Sequence, residues 1–131
     1  MSSSPLNHAN PPAASVSNPH DDPCYDVDPG VAALMVFADE GINYIFPYAQ
    51  FLYAERMPNP DLEKEPEAPP EKMLIHFATA EVVILGSGLT RVEQGILKYE
   101  LKFVRAVGRS PAVALKVHVA AINVIFNKEI L

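Results

Sequence analysis

Residues 72–86 read Lys-Met-Leu-Ile-His-Phe-Ala-Thr-Ala-Glu-Val-Val-Ile-Leu-Gly and carry the clearest structural signal in the chain. Two short apolar runs, 73–77 and 82–85, lie on either side of the Ala-Thr-Ala-Glu segment. Short apolar runs with several β-branched residues are typical of strands that are buried on both faces. The stretch therefore predicts a β-hairpin with two largely buried strands.

A helix is expected directly after this hairpin. Thr90 and Glu93 have the spacing of a capping box, in which the hydroxyl and the carboxylate each accept an N–H at a helix start. Apolar residues recur at steps of three and four, as on the buried face of a helix, and they are Leu89, Val92, Ile96, Tyr99 and Phe103. Gly95 weakens such a helix by about 1 kcal/mol relative to alanine. The pattern predicts a helix over residues 90–100.

Two further strands are expected before the hairpin. Residues 31–37 and the run 43–56 flank the turn-like segment Ala-Asp-Glu-Gly at 38–41, which indicates a second hairpin. Aromatic residues alternate along the second run and resume after a slip of one residue, as Tyr44, Phe46, Tyr48, Phe51 and Tyr53. A slip of one residue exchanges the faces of a strand. We therefore predict a bulge or bend over residues 47–50.

The remaining segments complete the order of elements. Residues 101–107 alternate apolar and polar side chains, and residues 113–126 are β-branched and nearly uncharged, so both are predicted strands. Residues 57–71 hold five prolines and five acidic residues, which predicts an extended, solvated loop of polyproline character without a strand. Residues 1–29 are rich in Ser, Asn, Ala and Pro and are predicted to form a disordered tail.

These segments predict an α+β fold of about six strands and one short helix, in the order β-β-β-β-α-β-β. The sheet is mostly antiparallel or forms a small, partly open barrel. This arrangement resembles small barrel-like domains such as the Sm-like group, although no motif of that group is present. A chain of 131 residues with 49% hydrophobic residues has material for one core. We therefore expect a single domain over residues 30–131.

Compartment and charge narrow the classes of function. One cysteine, Cys24, allows no internal disulfide, and neither a secretory signal nor a membrane-spanning run is evident, so a soluble, cytoplasmic protein is expected. The net charge of −6 is unevenly distributed, because residues 1–71 hold twelve acidic and two basic residues. Residues 72–131 hold eight basic and four acidic residues. An acidic first half argues against broad binding of phosphate backbones.

Several patterns resemble catalytic or ligand sites without completing one. Gly86-Ser-Gly88 follows a strand and precedes a helix, as in dinucleotide-binding folds, but Arg91 occupies the place of the third glycine. The ligand-type side chains of residues 20–28 lack the spacing of a zinc or calcium site. We therefore expect no cofactor, no metal and no catalytic residue. The open alternative is that two strand histidines, His76 and His118, converge with Glu55 or Glu81 as an acid–base pair.

Three functional hypotheses remain. The first is a non-enzymatic protein-interaction module that forms homo-oligomers through strand edges at residues 113–126, because a long apolar strand must lie in a sheet centre or join another chain. The second is a small barrel-like domain that binds RNA or single-stranded DNA. The third is a small-ligand-binding domain. The candidate binding residues, three aromatic and three basic, are Tyr44, Tyr48, Tyr53, Lys98, Lys102 and Arg105.

Overall fold

The computed structural model describes residues 23–38, 41–108 and 116–127. Its strands are β1 (Tyr25–Val27), β2 (Ala33–Phe37), β3 (Asn43–Pro47), β4 (Phe51–Pro58), β5 (Glu71–Phe77), β6 (Ala80–Ser87), β7 (Leu101–Arg105) and β8 (His118–Phe126). The α-helix α1 spans Thr90–Leu97, and short 3-10 turns span Tyr48–Gln50 and Pro60–Glu63. The α+β class with one short helix is confirmed, although the described residues form eight strands and not six.

The strands are arranged in two four-stranded sheets. Sheet 1 has the order β1-β7-β2-β3, and sheet 2 has the order β4-β5-β6-β8. Neighbouring strands are antiparallel except β2 and β7, which pair in parallel. The predicted hairpins appear as β2–β3 and β5–β6. The mostly antiparallel arrangement is therefore confirmed, in two open sheets and without a closed barrel.

The two sheets pack face to face over one apolar core. Phe46 of β3 stacks on Phe77 of β5 across the interface, with ring centroids 4.6 Å apart. The core includes fully buried residues of both sheets, among them Leu34, Val36, Met73, Ile75, Ile84 and Leu101. The helix contributes Val92 and Ile96 to the same core. Its interior Gly95 lets α1 lie close to sheet 1, because a Cβ there would be 3.2 Å from Val27.

The bend predicted at residues 47–50 is confirmed, and it also moves the chain from one sheet to the other. Pro47 ends β3 in sheet 1, and Phe51 begins β4 in sheet 2, so the 3-10 turn carries the chain from one sheet to the other. Tyr48 in this turn is buried, and its hydroxyl donates to the carbonyl oxygen of Leu101 at 2.7 Å. The run 43–56 is therefore two strands on opposite layers.

The first strand lies inside the predicted tail. Cys24 and Tyr25 are buried, and Tyr25–Val27 pairs with β7. The boundary predicted at residue 29 is therefore too late, since an aromatic residue and a thiol in this segment reach the core. Residues 1–22, which make up the rest of that tail, lie outside the described residues.

The helix begins at residue 90 as predicted, but its capping box and its C-terminal end need correction. Thr90 is the first helical residue and provides no side-chain cap, so the predicted capping box is absent. The Glu71 carboxylate, from β5, accepts the Leu89 N–H at 2.9 Å. The helix ends at Leu97 because Tyr99 has a left-handed φ of 58°. In the described part of the chain, no helix is long and apolar enough to cross a membrane.

The acidic, proline-rich segment 57–71 is a structured turn and not an extended spacer. β4 continues to Pro58, and β5 begins at Glu71, so strand structure enters the segment from both ends. Buried Asn59 closes the turn: its N–H donates to the Pro70 carbonyl, its amide nitrogen to Pro69, and its side-chain oxygen accepts from Asp61. The prolines and one asparagine therefore hold the acidic side chains at the end of the β4–β5 pair.

The glycines of Gly86-Ser-Gly88 serve close packing against the chain that enters β8. A Cβ at Gly86 would overlap the carbonyl oxygen of His118, and a Cβ at Gly88 would overlap that of Lys116. Of the strand predicted at 113–126, β8 covers 118–126, and residues 109–115 lie outside the described residues. β8 is an edge strand, with β6 as its strand neighbour in sheet 2.

Candidate interaction site at the β4 edge

Two of the predicted aromatic site residues belong to the core. Tyr44 is half-buried and packs edge-on against Phe126, with ring centroids 5.4 Å apart. Tyr48 is only 7% exposed and stacks on Tyr99. Burial raises the pKa of Tyr48 well above its usual value. Neither ring is available to stack on a nucleic-acid base.

The other predicted site residues lie on separate surfaces. Tyr53 is 52% exposed on β4 of sheet 2, whereas Lys102 and Arg105 are exposed on β7 of sheet 1. Lys98 follows α1 and lines a cavity of about 140 Å³ with Arg91 and other residues. Outer faces of two packed sheets point in opposite directions. The aromatic and basic residues therefore do not form one binding surface.

Arg105 has a local role on the outer face of sheet 1. Its guanidinium carbon lies 4.3 Å from the centre of the Phe37 ring and 4.9 Å from that of Phe103. Such cation–π contacts contribute about 0.5–1 kcal/mol at exposed sites. Arg105 therefore covers two apolar rings in addition to any role in binding.

The structure brings together part of the predicted acid–base set. His76 lies between two carboxylates, with Nε2 3.3 Å from Glu55 and Nδ1 3.3 Å from Glu81. Tyr53 stacks on the imidazole at 4.1 Å. His118 is excluded, because it pairs with Ser87 at the opposite end of β6 from Glu81. The cavities of about 140, 470 and 270 Å³ are not lined by His76.

β4 is an edge strand, and its backbone alternation shows which groups lie on the free side. The Asn59 N–H donates to Pro70, directly beyond the last β4–β5 pair, Pro58 with Glu71. Backbone groups of alternate residues along an antiparallel strand point to the same side. Counting back from Asn59, Ala54 and Arg56 direct their N–H and C=O groups away from β5. Neither residue makes a further backbone hydrogen bond within the described part of the chain.

An apolar groove runs along this free edge, between β4 and α1. Its volume is about 270 Å³, and its lining is Phe51, Ala54, Glu93, Ile96, Leu97 and Tyr99. Leu97 is 75% exposed and Tyr99 51% exposed, although both are large apolar side chains. An ion pair between Arg56 and Glu93, with an N–O distance of 3.1 Å, joins strand and helix. The groove and the free backbone groups together have the features of a sheet edge that can bind an added strand.

Sequence reasoning missed this groove, although one signal was present. Leu97 is adjacent to Ile96 and lies outside the apolar stripe predicted for the helix. A large apolar residue outside the buried stripe of an amphipathic helix is left exposed, and it contributes to a contact surface where other exposed apolar residues lie beside it. Leu52, which is 61% exposed, lies at the register shift of β4 and is a second exposed leucine, on the strand beside the helix. Identifying the groove required knowing that α1 lies beside β4.

The described residues contain no group of three His, Cys, Asp or Glu side chains placed to hold a metal ion. Comparisons with protein-family models, with curated proteins and with solved structures found no match for this chain.

Proposed function

We propose that this protein is a non-enzymatic interaction module that binds an extended segment of a partner as an added strand on β4. The observation that carries the proposal is the coincidence of a free strand edge with an apolar groove beside it. In β-strand addition, backbone hydrogen bonds supply affinity and pockets for alternate side chains supply specificity. The β4 edge offers both kinds of contact.

The energies indicate a weak, reversible complex. Four free backbone groups on Ala54 and Arg56 contribute about 0.5–1.5 kcal/mol each when they pair. A leucine buried in the groove adds about 1.5–3 kcal/mol. Association costs at least about 4 kcal/mol in lost freedom of motion. These terms leave at most about 5 kcal/mol, so we expect a dissociation constant in the millimolar range for a short peptide, no tighter than about 200 µM.

A peptide that alternates leucine and threonine tests strand addition. Opposite Ala54 and Arg56, an antiparallel peptide would direct its leucine N–H groups to β4 and its leucine side chains into the groove. N-methylation of the threonines leaves these contacts intact and blocks assembly of the peptide with itself. N-methylation of the leucines removes them. Fluorescence anisotropy should detect binding of the first peptide only, and equal binding of both would refute strand addition.

Hydrogen exchange locates the peptide. The amides of Ala54 and Arg56 should become protected when the first peptide binds, whereas that of Glu55, which points to β5, should change little. Ala54→Pro removes one free donor and should weaken binding about two- to tenfold. Leu97→Glu should weaken it further by polarising the groove. The matched control is Ile45→Glu, which changes an exposed residue on β3, an edge strand of sheet 1. This variant should bind the peptide as the wild type does.

Self-association through β8 is a second candidate, and it has its own observation. The start of β8 is engaged, since the Val119 carbonyl accepts the Val107 N–H and the Val119 N–H donates to the Cys24 sulfur. At the other end of the strand Ile125 and Phe126 are 48% and 49% exposed, so two large apolar side chains are available for contact there. A long apolar edge strand tends to pair with another chain. Pairing of β8 with β8 in a second copy would give a two-fold symmetric homodimer.

Sedimentation equilibrium tests the dimer. The wild type should sediment as a dimer at high micromolar concentration, and Ile125→Lys should shift it to monomer without loss of stability, since that side chain faces solvent. Leu52→Lys, which changes an exposed apolar residue on β4, is the control and should leave the dimer intact. A wild type that stays monomeric would contradict pairing through β8. Nucleic-acid binding stays a prediction from the sequence.

A further inference from the structure

The surroundings of β4 also indicate which side chains an added strand would carry. Alternate residues of such a strand point to opposite faces, so one set enters the groove and the other set lies on the outer face of sheet 2. On that face, the first neighbours would be Tyr53 and Glu55 of β4. The inference rests on the proposed strand addition at β4 and concerns its specificity.

The outer-face neighbours of the added strand include two carboxylates, with Lys72 of β5 as a cation on the same face. Glu55 and Glu81 flank His76, and their side chains are 45% and 33% exposed. A neutral imidazole has one N–H, so it can donate to only one of the two carboxylates. His76 Nε2, the nitrogen that faces Glu55, makes no hydrogen bond of good geometry within the described residues. Whether His76 is neutral or charged, the trio keeps a net negative charge.

Further acidic residues extend this charge beyond the end of the strand. β4 leads directly into the turn closed by Asn59, whose exposed side chains include four carboxylates, Asp61, Glu63, Glu65 and Glu67, and one ammonium group, Lys64. Tyr53 adds an exposed ring, half of whose surface is free to contact a cation. Opposite charges that face each other across paired strands are stabilising, and like charges are destabilising.

We infer that the β4 edge selects extended segments in which apolar residues alternate with lysine or arginine. The apolar residues fill the groove of Phe51, Ile96 and Leu97, and the basic residues lie against Tyr53 and Glu55. The partner chemistry is therefore a basic, amphipathic strand.

Three versions of the probe peptide test this specificity. They have the same leucines and carry threonine, lysine or glutamate at the alternate positions, with N-methylation at those positions only. Each lysine that faces β4 should tighten binding about two- to fivefold relative to threonine, and glutamate should weaken it by a similar factor. Added salt should reduce these differences, because exposed charges are screened.

Two charge-neutralising variants locate the effect. Glu55→Gln should remove most of the preference for lysine over threonine, and its circular dichroism spectrum should match that of the wild type. Glu100→Gln makes the same change in charge on the far side of α1, beside the cavity near Lys98, and should keep the preference. Equal affinities for the three peptides would overturn the inference and leave strand addition standing. Failure of all three to bind would overturn both, and a preference unaffected by Glu55→Gln would overturn the assignment to Glu55.

Discussion

Four glycine-to-alanine substitutions separate two physical reasons for which this fold requires glycine. Gly30 has neither requirement, since the nearest atom to its Cβ position is 3.8 Å away. Gly41 has a left-handed φ of +85° and open space around it. Gly86 has an ordinary φ, but a Cβ would overlap the backbone that enters β8. Gly88 combines a φ of +67° with such an overlap.

The expected losses of stability follow from these differences. A left-handed alanine costs about 1–2 kcal/mol, and an overlap that displaces backbone costs about 1–3 kcal/mol. Alanine also lowers the conformational entropy of the unfolded chain, which stabilises the folded protein by about 0.4–1 kcal/mol. We therefore expect Gly30→Ala to be neutral or slightly stabilising and Gly41→Ala to cost about 1 kcal/mol. Gly86→Ala should cost about 1–2 kcal/mol and Gly88→Ala about 2–4 kcal/mol.

Urea unfolding followed by circular dichroism measures all four free energies under one set of conditions. The loss in Gly88→Ala should be close to the sum of the losses in Gly41→Ala and Gly86→Ala, because the strain in φ and the overlap are different costs. If Gly88→Ala unfolded within about 0.5 kcal/mol of Gly30→Ala, the packing explanation would be refuted. Glycines required only by a bound dinucleotide would give that result, since their substitution would leave the stability of the free protein intact.

Three further predictions concern the core. Burial raises the pKa of Tyr48 above its unfolded value near 10, so its contribution to the free energy of unfolding is complete below pH 10. Above pH 10 this contribution is lost by up to about 1.4 kcal/mol per pH unit. In urea unfolding at several pH values, Tyr48→Phe should lack this alkaline loss of stability, and a pH profile identical to that of the wild type would contradict the prediction. Cys24 is fully buried and its sulfur accepts the Val119 N–H, so Ellman's reagent should react with it slowly in the native protein and rapidly in concentrated urea; equal rates would place the thiol at the surface. Phe46→Ala should cost about 3–5 kcal/mol in urea unfolding, because the ring joins both sheets, whereas Ile45→Ala beside it should change stability by less than about 0.5 kcal/mol; similar losses would mean that the faces of β3 are reversed.

Local patterns were sufficient for most individual elements. The β5–β6 hairpin, the helix after it and the bend at residues 47–50 were all predictable, because each depends on residues that are neighbours in the chain. The short strand β1 was not predictable in the same way. Three residues in a proline-rich, acidic context do not favour a strand by themselves, and β1 forms because β7 pairs with it and the core covers Cys24 and Tyr25.

The candidate site was predictable only in fragments. The aromatic and basic residues proposed from composition are real surface features in part, since Tyr53, Lys102 and Arg105 are exposed, but they belong to different sheets. The sequence left several combinations of His76 and His118 with Glu55 or Glu81 possible, and the contact of His76 with both carboxylates was one of them. A strand pattern indicates which residues share a face, but it does not show which strands are neighbours.

The sequence by itself determined the class of fold, the one helix, and six apolar runs that contain seven of the eight described strands, since the periodicity of apolar residues and the position of glycine and proline act locally. Only the tertiary structure decided that the run 43–56 changes sheets, that β2 and β7 are parallel, and that β4 is left as an edge beside α1. Those features depend on pairing between segments as much as seventy residues apart, such as β2 with β7. Their energy comes from contacts that no local pattern encodes.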